Sequence, residues 1–313
     1  MNNLKKGILL FGFVVVISGF VLSGAALGSS EKEHQGISNH DKKEMTLLKK
    51  EWIDPELVLI DSRNGAELQK LKASAIRNTE NAKETANQLE VKYDRAMIPA
   101  KLRSNGQLNP GQSRVVIDKK VLMKEFENFK AFQREIKVPI SESAPNVTAG
   151  AIANIDQAVL GSFVTRFNPS VTGRSSNIAL SAQEIDQIVL GPGDRFYFNR
   201  IVGERTAQRG YQKAMEIVNK EFVEGIGGGI CQTSSTLYNA IDSAGLGILE
   251  LHHHSKEVGY VPKDRDATVS YGGKDFKFIN NKDYPVLIKT ITNRKNGTLE
   301  VQVRAAAKYV AKN

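Results

Sequence analysis

The chain has 313 residues, is 41% hydrophobic and 25% charged, and carries a net charge of +9 with a single cysteine. A chain of this length buries an ample core without cross-links, and a lone thiol has no partner within the chain, so a disulfide-stapled scaffold is excluded. The positive charge is dispersed, and without zinc-finger spacing, a basic helix or an aromatic RNA-binding signature no nucleic-acid partner is expected.

Lys5 and Lys6 precede an uncharged run over 7–27 dominated by Leu, Ile, Val and Phe. Residues 1–28 are therefore expected to be a signal peptide or an N-terminal membrane anchor, with the lysines inside and the remainder on the outer face. Residues 29–50, rich in Lys, Glu, His and Ser, read as a tether. Residues 51–150 read as a small α+β module. Its expected elements are a strand at 52–60, a helix over 66–89, a turn at Asn105-Gly106 and a strand at 114–117. A helix capped by Asp118 follows, with Leu122, Phe126 and Phe129 at i, i+4 and i+7, then an alternating strand at 134–140. The module contains no cysteine or histidine and offers no evident chemistry.

Residues 141–150 (SESAPNVTAG) read as a linker into a second region, 151–313. There Ser181 and Glu184 form a capping-box pattern for a helix ending at Gly191-Pro192-Gly193. RFYFNRIVG follows as a strand with Phe196 and Phe198 on one side, and further strands are expected at 248–254, 267–271, 276–279, 286–292 and 299–304. The pattern predicts a two-domain α+β protein, with a glycine loop and cysteine helix packed on a mostly antiparallel sheet in the C-terminal domain.

The chemistry centres on GIGGGICQTSSTLYNA, which holds Cys231. Leu237, Ala240, Ile241 and Ala244 recur at helical spacing, and Gly245 suits the helix end. Cys231 then falls in the first turn, where no Ser, Thr, Asp or Asn occupies the terminal amides. Open amides and the positive helix end favour a thiolate. The amides at 231 and 232, with the Gln232 side chain, are candidate oxyanion donors. Gly227, Gly228 and Gly229 would admit a substrate backbone, and Ser234 and Ser235 complete the candidate binding set.

A thiol nucleophile needs a base and an orienting group. In ELHHHS a strand would place Glu250, His252 and His254 on one face, making both imidazoles candidate bases. Asp266, Asp275 and Asn280 are candidates to hold the ring, with Asp266 preferred. Two other readings stand beside this one. His-x-His with Glu250, Cys231 or an Asp also has the makings of a zinc site, and Cys231 is equally readable as a small buried residue at a tight turn. Arg205, Tyr211 and Tyr260 are expected to be surface or half-buried side chains without a special role.

GPGDRFYFNRIVGERTAQRGY, GIGGGICQTSSTLYNA, HHHSKEVGYVPKDRDATVSYGG and DFKFINN together resemble the VanW-like family over about residues 160–290. Residues 51–150 are similar to the peptidoglycan-binding module that often precedes that domain. Leu251 departs from the pattern, standing where many members carry Arg. The resemblance implies a bacterial envelope setting with links to wall or glycopeptide biology, and it supplies no reaction. The expected protein sits at the outer face of the cytoplasmic membrane or in the wall, with peptidoglycan or a wall peptide as partner and no cofactor. It acts there as a thiol peptidase or transpeptidase, or as a non-catalytic binding protein.

Overall fold

The computed structural model describes residues 54–130, 132–218 and 221–310. The expected leader at 1–28 and tether at 29–50 lie outside the described residues. Among those described, no helix is long and apolar enough to cross a membrane.

Glu56–Asp61 pairs antiparallel with Glu67–Lys72 and parallel with Glu135–Val138. Leu57, Leu59, Ile136 and Val138 point from this sheet into a core closed by Ala86 and Leu89 of the helix Thr79–Tyr93 and by Leu122 and Phe126 of the helix Lys119–Glu127. The helix expected over 66–89 is corrected: its first part is the strand Glu67–Lys72, and the helix starts only where Asn78 accepts hydrogen bonds from the Glu80 and Asn81 amides. The start signal is the cap, which composition alone does not locate. Asp118 caps its helix by accepting from the Val121 amide at 3.0 Å.

The main sheet has six strands, all antiparallel. In spatial order they are Leu108–Asn109, Ala100–Leu102, Ile188–Leu190, Val286–Asn293, Thr298–Ala305 and Ala158–Arg166. The α+β class and the mostly antiparallel character are thus as expected. Two of the six strands come from before residue 150, so this sheet draws on both sides of the expected domain boundary. The stretch read as a linker is tied down at its start and its middle: Ile140–Ser143 pairs with Arg114–Ile117, and the Asn146 amide donates to the Asp194 carboxylate at 2.8 Å.

Above this sheet lie two helices. Thr172–Ile185 begins nine residues before the expected capping-box serine. Ser181 is instead inside the helix and fully buried, donating to the Asn177 carbonyl and meeting the Thr233 hydroxyl at 2.7 Å. Ile230–Ser243 packs Leu237, Ala240 and Ile241 against Val301 and Val303. It ends in a Schellman arrangement, with the Gly245 amide on the Asp242 carbonyl and the Leu246 amide on Ile241, and with Gly245 at φ 67°. Phe196 lies in the short strand Arg195–Tyr197 and stacks on Phe278 at 4.7 Å, while Phe198 starts a five-residue helix rather than continuing a strand.

Candidate active site

Cys231 is the second residue of the helix Ile230–Ser243, which has no side-chain cap and no acid in its first turn. Half-buried Cys231 therefore sits at the positive end of the helix. The Cys231 amide has no hydrogen-bond acceptor among the described residues, whereas the Gln232 amide donates to the Gly229 carbonyl at 2.9 Å. Of the two expected oxyanion amides, one is open and the other is engaged.

The glycines answer to the protein's own backbone. Gly227 and Gly229 have φ of 101° and 112°, and a Cβ on Gly228 would lie 2.6 Å from the carbonyl oxygens of both Ala214 and Met215. The loop thus passes directly beneath the hairpin strand Lys213–Val218, which a side chain there would lift. Buried Asn177 secures the arrangement, donating to the carbonyls of Gln212 and Gly228 and accepting from the Gln212 amide. These glycines, expected to admit a substrate backbone, are thus also required by the protein's own packing, and all three line the cavity described below.

The strand Gly247–Glu250 ends before the histidines, so the alternation expected for them does not hold. One ring parts from the other two. His252 Nε2 turns back to Glu250 Oε1 at 2.9 Å, and Glu250 is also paired with Lys277 at 2.6 Å. His253 Nδ1 and His254 Nδ1 meet the two oxygens of Asp266 at 3.0 and 2.5 Å, and the His254 amide donates to the same carboxylate at 2.7 Å. His254 also lies close enough to Cys231 for each to shift the other's protonation. Burial pushes the Cys231 thiol up, but a hydrogen bond from His254 and its charge more than offset this and leave the thiol below its ordinary value. Burial likewise opposes the charged form of His254, yet Cys231 and Asp266 raise it above the usual imidazole range. Asp266 is held low despite burial by its bonds to His254 and His253. Asp266, His254 and Cys231 are thus brought together, whereas His252 bonds Glu250 instead of Asp266. Asp275 accepts from the Asn199 and Phe276 amides, and the Asn280 side chain donates to the carbonyls of Leu190 and Tyr284; both are structural.

Gln232, Ser234 and Ser235, expected as substrate groups, are all engaged as braces within the fold, and of the three Gln232 also lies in the lining of the cavity described below. Gln232 Nε2 donates to the Thr165 hydroxyl and the Arg166 carbonyl, leaving no amide hydrogen for an oxyanion. Ser234 donates to the Ala267 carbonyl at 2.6 Å while Ser235 accepts from the Ala267 amide at 2.9 Å. One helical turn further on, Asn239 exchanges bonds with the Arg265 backbone and guanidinium. The polar stripe of the helix thus grips residues 265–267 and delivers Asp266 to the histidines. These side chains are fully or almost fully buried, where unpaired polar groups would be costly.

The sulfur opens on a cavity of about 790 Å³ whose lining includes His254, Thr268, Arg174, Arg205, Tyr260 and Tyr271. The protonated thiol donates to the Val269 carbonyl at 3.5 Å, with the Thr268 hydroxyl at 3.8 Å. Arg205 and Tyr260 were readable only as ordinary side chains, and Arg174 carried no signal at all, because nothing in local spacing shows that three distant segments converge. Leu251 packs against the hydrophobic core and makes no anion site. Among the described residues, no group of three or more His, Cys, Asp or Glu side chains is placed to hold a metal ion, and the His-x-His pair of the zinc reading is split between Glu250 and Asp266.

A family model described as VanW like protein matches residues 173–303. The chain is 44% identical over 204 residues to the uncharacterized protein YoaR of Bacillus subtilis (strain 168), covering 64% of this chain and 67% of the relative. It is 29% identical over 112 residues to the vancomycin B-type resistance protein VanW of Enterococcus faecalis (strain ATCC 700802 / V583), covering 34% of this chain and 41% of that protein. No solved structure matches. The glycine loop, the cysteine helix and the histidine segment all fall inside the matched region, and the chain belongs to the VanW-like family.

Proposed function

We propose that this protein is a thiol-dependent acyl-transfer enzyme of the bacterial envelope, cleaving or transferring peptides of the wall. The observation that supports this most is the Cys231–His254–Asp266 relay at the wall of an open cavity. Envelope and wall enter through the resistance function in the name of the Enterococcus relative and through the apolar run at 7–27, which on this reading holds the chain at the outer face of the cytoplasmic membrane.

In the reaction the thiolate attacks a peptide carbonyl carbon, forming a C–S bond and placing negative charge on the carbonyl oxygen near the open Cys231 amide. Collapse breaks the C–N bond as His254 donates its proton to the departing amine. The thioester then takes up water or an acceptor amine, which His254 deprotonates, and the thiolate is regenerated. Asp266 keeps the ring oriented throughout. Residues 51–150 would hold the protein near peptidoglycan.

The test is alkylation of Cys231 in the full-length chain by a neutral reagent across pH, together with mass analysis of isolated wall peptides incubated with it. Rapid labelling well below the ordinary thiol value of about 8.5 is expected, along with new cleaved or exchanged peptides that a Cys231→Ala chain does not produce. Labelling confined to the unfolded protein would end this reading, and retention of both chains on wall sacculi without any peptide change would leave a binding protein in its place.

A further inference from the structure

Arg174 and Arg205 both line the cavity, one from the helix Thr172–Ile185 and the other from the loop after Phe198–Val202. Neither forms an ion pair with a carboxylate among the described residues. Each is instead held by a neutral amide oxygen: Arg174 Nη2 by Gln232 Oε1 at 2.8 Å, and Arg205 Nη2 by Asn199 Oδ1 at 2.7 Å. The amides are themselves pinned, Gln232 by Thr165 and the Arg166 carbonyl and Asn199 by the Ser270 and Lys274 carbonyls. Tyr260 and Tyr271 flank the guanidiniums at 5.8 and 5.7 Å. Arg205 Nη1 is buried with no partner. A guanidinium carries five N–H donors in a planar fork, so both forks are oriented while several donors remain unclaimed.

We propose that Arg174 and Arg205 form a carboxylate clamp beside Cys231, so that the substrate is a peptide bearing a free carboxylate close to the carbonyl under attack. The clamp deepens the thiol-enzyme reading and rests on it. Neither fork has a bonded counter-ion: Cys231 acts on both, and Asp275 on Arg205, only through space, so donors remain for a carboxylate, which matches their spacing. Glu204 and Glu257 at the exposed rim, and Glu216 whose carboxyl burial pushes up, form no ion pair with either fork. A polyanion such as a phosphodiester polymer would meet their repulsion, whereas a single carboxylate passes between them.

The experiment compares alkylation of Cys231 by iodoacetate and by iodoacetamide in the full-length chain at neutral pH and low salt. N-acetylcysteine amide, which carries no carboxylate, serves as the free-thiol reference. Both reagents report the same thiolate, so their rate ratio reads the anion site alone. The expected ratio exceeds that of the free thiol by about tenfold or more, falls about tenfold in Arg205→Gln and in Arg174→Gln, and is partly retained in Arg205→Lys. Thermal melts establish that each variant is folded. A ratio equal to the free thiol's, or unchanged in both glutamine variants, overturns the clamp even if iodoacetamide reacts rapidly. Slow iodoacetamide labelling at pH 6 instead sinks the nucleophile. A second arm is independent of sulfur: an N-acetyl dipeptide acid should raise the Tm of the Cys231→Ser chain more than its C-terminal amide does, and equal shifts, or a larger shift with polyphosphate, also overturn the proposal.

Discussion

Two helices of this protein handle their ends and polar side chains in opposite ways. Thr79–Tyr93 has Asn78 accepting from its first amides and Glu80 in its first turn, and it buries only Ala82, Thr85, Ala86 and Leu89. Ile230–Ser243 leaves its first turn uncapped and buries Gln232, Thr233, Ser234, Ser235, Thr236 and Asn239 together with its apolar face. The first helix is self-sufficient at its terminus and sheds polarity to solvent. The second directs its open terminus to a sulfur and turns its polar residues into clamps on three neighbouring segments. A helix that breaks both habits at once marks a site, because buried polar groups and open amides are retained only where something else meets them.

That contrast can be broken experimentally. The largest effect is expected for His254→Ala, measured as alkylation of Cys231 at pH 6. The rate should fall by more than about tenfold, because burial then opposes the thiolate with neither the imidazole's hydrogen bond nor its charge to offset it. Gln232→Ala should lower unfolding free energy by about 2–3 kcal/mol in denaturant titration, since Arg174 Nη2, the Thr165 hydroxyl and the Arg166 carbonyl all lose a partner. Asp266→Asn should slow labelling at pH 6 about tenfold, the worth of one charge-assisted hydrogen bond.

The same Asp266 variant tests linkage. The folded carboxyl is held low, so its contribution to stability is present above the unfolded value of about 3.9 and lost as pH falls through the folded one. His254 behaves oppositely: its folded value is raised, so its contribution is complete below about 6.5 and lost as pH rises through the folded value. Melting temperature against pH should therefore lose acid-side dependence in Asp266→Asn, and a profile parallel to the parent's would contradict the relay. Because Cys231 and His254 titrate as a pair, the labelling profile reports the pair rather than either residue.

Smaller effects belong to the self-sufficient helix and to the ring bonded to Glu250. Asn78→Ala should reduce stability by about 1 kcal/mol while leaving the alkylation rate untouched, as expected of a cap remote from the site. His252→Ala should change the rate by less than about twofold, because its ring bonds the partly exposed Glu250 outside the relay. A large loss there would assign the base role to His252.

Local signals carried the cysteine helix, its uncapped start and its glycine stop, because caps and apolar spacing act within a few residues. They also carried Cys231 and Asp266 as candidates and the class of fold. Choosing among histidines 252, 253 and 254 was beyond local spacing: the backbone leaves the strand at Glu250, and tertiary hydrogen bonds to Asp266 determine which ring turns inward. Gln232, Ser234 and Ser235 looked like substrate groups because sequence shows polarity and not burial. Arg174 and Arg205 were out of reach for the same reason.

What the sequence determined alone is a thiol at the open, positive end of an amphipathic helix, since that needs only propensity, capping chemistry and spacing. What the tertiary structure decided is the company the thiol keeps: an imidazole steered by a carboxylate, two guanidiniums held by amides, and a hairpin over the glycines. The imidazole, the carboxylate and the guanidiniums lie 23 to 57 residues from Cys231 along the chain, and chain separation carries no information about which side chains meet once packing has excluded the alternatives.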